Sequence, residues 1–276
     1  MSFPGPQAQQ GTDEPFPRVA LVTGGAKRLG RTIALALAED GWDIGVHYLQ
    51  SQTEAESTVA DIRALGRRAV ALQAPLGEAE ACEQLIPRLE AELGPVCGLV
   101  NSASRFVHDD IHTLSADSLD EHLRPNLMAP MLLSQALARR LALHPQAPDG
   151  IIINLLDQKL GNLNPDFLSY TLTKAALAAA TTMLAQALAP RIRVVGIAPG
   201  LTLPSYLQDE AAFTRAHRTL SPLGASSTAG DIANSVVFST KTRSITGTVL
   251  VVDGGQHLLG LPRDASLMPE PPWPTP

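Results

Sequence analysis

Short apolar runs alternate along this chain with longer stretches in which apolar residues recur at helical spacing. RVALVT (18–23), WDIGVHY (42–48), RAVALQA (68–74), GLVNSAS (98–104), GIIINLLD (150–157), RVVGIAPG (193–200) and GTVLVVDGG (247–255) read as strands. Each is short, and most are rich in β-branched residues and bounded by turn formers. Residues 29–40, 53–65, 78–93, 118–143, 168–188 and 228–239 read as helices. Gly41, Gly66 and Gly94 stop the first three, and Pro190 stops the fifth. Pro125 and Pro130 fall inside the fourth, so that helix is predicted to bend or break. Regular strand–helix alternation implies right-handed crossovers and a parallel sheet covered on both faces. The expected fold is therefore α/β and doubly wound, with about seven strands. Its ligand site is expected beyond the C-terminal strand ends, where the strand order reverses.

Composition sharpens this picture. With 276 residues, 45% of them hydrophobic and 17% charged, the chain can bury the core of one α/β domain, placed at 18–262. Residues 1–17 are rich in Pro, Gly and Gln, and 263–276 hold five of the 22 prolines. Both read as loose tails, since such segments bury too little apolar surface to offset their ordering entropy. A net charge of −6 without a basic block speaks against a nucleic-acid surface. Two cysteines, Cys82 and Cys97, sit in apolar segments. They make a disulfide framework or a zinc site improbable, and they fit a reducing cytoplasm. No metal site is expected. No basic-then-apolar N-terminal stretch suggests a signal peptide, and no run of about 18 apolar residues suggests a membrane span.

Candidate chemistry lies in three places. TGGAKRLG, Thr23 to Gly30, joins the first strand to the first helix. Small residues there let backbone approach a pyrophosphate, and a helix N-terminus favours its charge. The second strand ends in HYLQS, with no acidic residue to take ribose hydroxyls. Lys27 could pair with a 2′-phosphate while His47 and Ser51 donate hydrogen bonds to it, which favours NADPH/NADP+ over NAD. Tyr170 and Lys174 are four apart and share a helix face. An ammonium beside a phenol favours phenolate and is expected to lower the Tyr170 pKa, so that Tyr170 can hand over a proton. Asp157 ends the preceding strand, thirteen positions before Tyr170. An ionised carboxylate only accepts hydrogen bonds, so it serves an N–H donor better than a ketone oxygen.

Together these stretches resemble the short-chain dehydrogenase/reductase family, a Rossmann-fold family, over about residues 18 to 260. TGGAKRLG is similar to its Thr-Gly-x-x-x-Gly-x-Gly loop, with Arg28 in place of the second glycine. That departure, with HYLQS, Asp157 and Phe106, resembles the pteridine reductases within the family. The resemblance implies that Thr23, Gly24, Lys27, Arg28, Leu29, Gly30, His47, Tyr48, Ser51, Asn101, Ala103, Pro199 and Gly200 hold the cofactor, with Tyr170 and Lys174. It implies catalytic roles for Asp157, Tyr170, Lys174 and Asn126, the last supporting a water chain to the lysine. Arg28, Phe106, Asp157, Tyr170, Leu201 and Tyr206 would line the substrate pocket, and the segment after Gly200 would form its lid. Gln50 replaces an Arg of the pteridine-reductase pattern, and Pro75 replaces the Asp that binds adenine elsewhere in the family. A small-molecule substrate and a homotetramer follow from the resemblance. The alternatives are a carbonyl or 3-oxoacyl reductase of the same family, or a cofactor-binding regulator without turnover.

Overall fold

The computed structural model describes residues 17–268; the N-terminal segment 1–16 and residues 269–276 of the expected C-terminal tail lie outside the described residues. Seven strands form one parallel sheet in the order β3-β2-β1-β4-β5-β6-β7. They are β1 Val19–Val22, β2 Asp43–Tyr48, β3 Ala69–Gln73, β4 Val96–Asn101, β5 Gly150–Leu155, β6 Ile192–Pro199 and β7 Val249–Val252. β1, β4 and β5 are buried at every residue, as a sheet covered on both faces requires. Burying each of Ile151, Ile152 and Ile153 in β5 stabilises the fold by roughly 1.5–3 kcal/mol.

The helices are α1 Arg28–Glu39, α2 Gln52–Ala64, α3 Ala79–Leu93, α4 Ala116–Leu123, α5 Ala129–Ala142, α6 Leu168–Leu188, α7 Glu210–Thr219 and α8 Ala229–Lys241. α1 packs on α2 and α8, while α3 packs on α5 and α4 on α6, giving two layers. α1 turns Ile33, Ala34, Leu37 and Ala38 inward and ends before Gly41, whose φ of +89° suits glycine. The predicted helix 118–143 is broken as its prolines demand. A π turn, Arg124–Met128, separates α4 from α5 around Pro125, which offers no backbone N–H.

The order reverses between β1 and β4, so their C-terminal ends open a crevice. Thr23 closes its base. Its hydroxyl accepts the backbone N–H groups of Ser102 (2.9 Å) and Ala103 (3.0 Å) and donates to the Val100 carbonyl. Below it, the Asn101 amide donates to Asn154 Oδ1 at 2.8 Å, and Asn154 donates to Thr181 Oγ1 at 3.0 Å. This buried polar chain ties β4 to β5 and α6 and fixes their relative height. Among the described residues, no helix is long and apolar enough to cross a membrane, and no cluster of His, Cys, Asp or Glu could hold a metal ion.

The expectation of a loose segment from residue 263 fails for 263–268. Arg263 clasps buried Asp166, and Ala265 is buried with Leu261, Leu220 and Ala216. Pro-rich composition extends only from residue 269, so the tail begins later than the sequence suggested.

Candidate active site

Two clefts meet at Ser104, at the C-terminal ends of the strands. The first, about 610 Å³, is lined by Gly24, Lys27, His47, Tyr48, Gln50, Ser51, Pro75 and Ala103. The second, about 290 Å³, is lined by Arg28, Leu29, Phe106, Asp157, Tyr170, Lys174, Pro199, Gly200 and Leu201. Twelve of these were expected to hold the cofactor, and Arg28, Phe106, Asp157, Tyr170 and Leu201 were expected on the substrate side.

The β1–α1 loop is built for close approach. Gly24 has φ +64°, a left-handed conformation that favours glycine. A Cβ on Gly30 would overlap the Gly24 carbonyl oxygen and lie 2.8 Å from its carbon. Arg28 also sits in the left-handed region, at φ 51°, and its guanidinium donates to the Pro204 carbonyl at 2.8 Å. The β1–α1 loop is thereby bonded to the segment after β6.

Some expected contacts are placed differently. His47, expected to donate to a 2′-phosphate, has both ring nitrogens engaged by backbone groups. Its Nδ1 accepts the Gly24 N–H at 3.0 Å, and its Nε2 pairs with the Ala74 carbonyl at 2.9 Å. That pairing requires the tautomer with the proton on Nε2. Burial pushes its pKa down, with Arg88 adding to the effect against the bond to Ala74. His47 is a neutral clip joining β1, β2 and the end of β3. Thr23 and Asn101 lie buried beneath the crevice and act on its shape. Tyr206 is 60% exposed and lies outside the second cleft; its hydroxyl accepts the His108 N–H at 2.8 Å. It pins the segment after Gly200 to the loop after β4.

α6 is held at its N-terminus by a carboxylate from outside the helix. Asp109 accepts the Ser169 N–H at 3.0 Å and the Ser118 hydroxyl at 3.1 Å, and it also bonds the Ser169 hydroxyl. This suits the positive end of a helix and fixes where α6 starts. Tyr170 then lands in the first turn of α6, and its hydroxyl donates to Asp157 Oδ2 at 2.8 Å. Asp157 Oδ1 accepts the Lys159 N–H at 2.8 Å. Lys174 donates to the Leu155 carbonyl at 2.7 Å, with its Nζ 5.6 Å from the Tyr170 ring centre.

The electrostatics reverse one expectation. Tyr170 is held well above the usual phenol pKa, first by burial and then by the neighbouring Asp157. Lys174 does not override this; burial lowers its own pKa to about 8. Asp157 is pushed up, mainly by burial and against its bonds from Lys159 and Tyr170. Tyr170 and Asp157 therefore share a hydrogen-bonded proton, and the phenol stays protonated at neutral pH.

Asn126 is buried and does not touch Lys174. Its Nδ2 donates to the Arg105 carbonyl (3.0 Å) and Thr173 Oγ1 (3.1 Å), and its Oδ1 accepts the Arg105 N–H at 2.8 Å. It shapes the loop carrying Phe106. Phe106 lies parallel to Phe167 with ring centres 4.2 Å apart, and meets the Tyr170 ring edge-on at 4.7 Å. One Phe106 face is thus covered by Phe167. The second cleft also includes Gln158, Lys159, Asn162, Gln256, Leu261 and 263–266, none of which the sequence reading singled out. Lys159, two residues beyond Asp157, had a usable signal. Residues 263–266 were hidden in a segment read as a tail.

Comparison with known proteins agrees with this fold. Residues 24–257 match a family model described as enoyl-(acyl carrier protein) reductase. The 3-oxoacyl-[acyl-carrier-protein] reductase FabG of Staphylococcus epidermidis is 31% identical over 245 residues, spanning 87% of this chain and 98% of the relative. A solved structure of FolM alternative dihydrofolate reductase 1 from Brucella suis, in complex with NADP, superposes with a TM-score of 0.80 at 38% identity, covering 88% of this chain and 96% of that one. A short chain dehydrogenase from Burkholderia cenocepacia, also in complex with NADP, gives a TM-score of 0.80 at 34% identity, with 88% and 98% covered. The family model spans residues 24–257 and these relatives are matched over nearly their whole length, and the protein belongs to the short-chain dehydrogenase/reductase family.

Proposed function

We propose that the protein is an NADPH-dependent reductase of the pteridine-reductase type, acting on a dihydropterin-class ring. The observation that carries this reading is the bond from the Tyr170 hydroxyl to Asp157 Oδ2 at 2.8 Å, at the wall of a cleft. In most of the family a serine hydroxyl stands in place of Asp157. A carboxylate there accepts from ring N–H and amino groups and repels a ketone oxygen. Gln158, beside it, buries a side-chain oxygen with no partner among the described residues, a second acceptor suited to such donors.

The first cleft fits a dinucleotide phosphate. The positive φ of Gly24 and the space that a Gly30 Cβ would fill make a cradle at the α1 N-terminus. Gly24, Lys27, Ser51 and Ala103 would hold the cofactor, with Lys174 toward a ribose, and NADPH supplies a hydride when bound. The protein's own part is protonation. Tyr170, protonated at neutral pH, delivers a proton to the ring nitrogen, and Asp157 holds that phenol in place and takes ring N–H bonds. NADP complexes among the structural relatives support the cofactor, and a FolM relative at 38% identity supports the substrate class.

Two buried, unpaired thiols, Cys82 and Cys97, fit a reducing cytoplasm. Leu172 and Met183, 51% and 68% exposed on α6, fit a homotetramer with α6 at an interface. The 3-oxoacyl reductase relatives favour ketone reduction as a second reading. The test is substrate-dependent NADPH oxidation with dihydrobiopterin, dihydromonapterin and dihydrofolate against ketones and acyl thioesters. Turnover of pterins, lost in Asp157→Ser while ketone turnover holds or rises, is the expected result. Turnover confined to ketones or thioesters overturns the pterin reading, and cofactor binding without turnover, unchanged by Tyr170→Phe, points to a regulator.

A further inference from the structure

The substrate cleft has a wall that no family motif supplies. Leu261 and residues 263–266 line it together with Arg28, Leu203 and Gln208. Leu261 and Ala265 are buried against Ala216 and Leu220, around the C-terminal end of α7. Two ionic contacts fasten this strap to the segment between Asp157 and α6. Arg263 grips Asp166 through Nε–Oδ2 at 2.8 Å and Nη2–Oδ1 at 2.7 Å, and the Asp264 N–H donates to Asp166 Oδ2 at 2.7 Å. Lys159 donates from Nζ to Asp264 Oδ2 at 3.3 Å and to the Asp166 carbonyl at 2.5 Å, while its own backbone N–H holds Asp157. Asp166 is 1% exposed, and Phe167 beside it packs against Phe106 with φ 53°.

The clasp therefore joins residues 261–266 to the acceptor Asp157 and to the aromatic wall by a short run of direct bonds. A bidentate Arg–carboxylate pair on a buried partner is geometrically demanding, which makes it a latch rather than an incidental surface pair. With the strap in this position, the cleft offers about 290 Å³, a volume that the reacting ring and the nicotinamide end of a cofactor would share. Little room remains for a bulky appendage on the ring.

We infer that the strap 261–266 sets the size of substrate that the cleft accepts, with Arg263, Asp264 and Lys159 as specificity-determining positions. This rests on the reading of that cleft as the substrate site. None of the three touches the reacting atoms in this reading; they act by placing the wall.

The experiment compares kcat/KM for a compact and a bulky substrate sharing one ring, such as dihydromonapterin and dihydrofolate, in the wild type, Arg263→Ala, Arg263→Lys and the double variant Arg263→Ala/Asp264→Ala. Hydrogen exchange at the Asp264, Ser266 and Leu267 amides, all bonded in the closed strap, reports the latch without turnover. Arg263→Ala should raise the bulky-to-compact ratio by at least about fivefold, through KM for the bulky partner rather than kcat. Exchange at the strap amides should rise in parallel, and Arg263→Lys should recover part of both. An unchanged ratio with fully exchanging strap amides overturns the inference, as does a wild-type strap whose amides are unprotected. If the wild type reduces no pterin, the function proposed above falls on its own. The ratio is then read on a compact and a bulky ketone that the enzyme does reduce, where an unchanged value again overturns the strap.

Discussion

Replacing His47 by Leu tests how the crevice is held open. Leucine has a similar volume and leaves no large cavity, so the change removes two hydrogen bonds and little else. The Gly24 N–H and the Ala74 carbonyl, bonded at 3.0 and 2.9 Å, both lose their partner. An orphaned buried group costs about 1–3 kcal/mol, so the pair costs roughly 2–6, with the lower half expected because Gly24 borders the cleft. About 3 kcal/mol in a domain of this size lowers Tm by roughly 6–12 °C. NADPH affinity should fall about tenfold or more, since ordering the freed loop at a cost near 1.4 kcal/mol is already a factor of ten. The acid dependence carries a sign. His47 has a folded pKa below its unfolded value. The unfolded chain therefore binds the extra proton first as pH falls, and stability present above about 6.5 declines below it by up to about 1.4 kcal/mol per unit until the folded pKa is reached. The Leu variant lacks that slope, and His47→Asn lacks it too but, because its Oδ1 can still accept from Gly24, should melt between the two at neutral pH. Thermal unfolding by circular dichroism at neutral and mildly acidic pH, with NADPH titrated by fluorescence, measures each quantity. A Leu variant that melts with the wild type at neutral pH, or keeps its acid slope, refutes the clip.

The remaining tests address the chemistry and the loop. Tyr170→Phe removes the only hydroxyl bonded to Asp157 among the described residues, and kcat should drop by about 10²–10⁴ with NADPH affinity nearly unchanged; single-turnover kinetics separate the two. Gly30→Ala forces a Cβ into the Gly24 carbonyl, so cofactor affinity should fall by more than about tenfold while the far side of the sheet keeps its exchange protection.

Much of the fold was legible because parallel strands buried on both faces must be largely apolar. VALV, GIIINL and IRVVGIAP have no other plausible home. The break at Pro125 was legible because a missing N–H acts locally. Tyr170, Lys174 and Asp157 could be read together because a helix period and a strand end set their spacing. The extra helix α7 and the short turns after Asp157 and Gly255 carry weaker signals. They are stabilised by contacts with segments distant in the chain.

By itself, the sequence determined the alternation of elements, the crevice loop and the residue types offered for chemistry, since these depend on near neighbours. Tertiary structure alone decided which way His47 faces, that Asn126 serves the Phe106 loop, and that Tyr170 stays protonated. Those outcomes depend on burial and on partners that are often far apart in sequence, such as Gly24 with His47 and Arg263 with Asp166. The strap shows the difference most plainly. Its composition blends into a proline-rich tail, and only a buried carboxylate 97 residues earlier makes Arg263 part of the cleft wall.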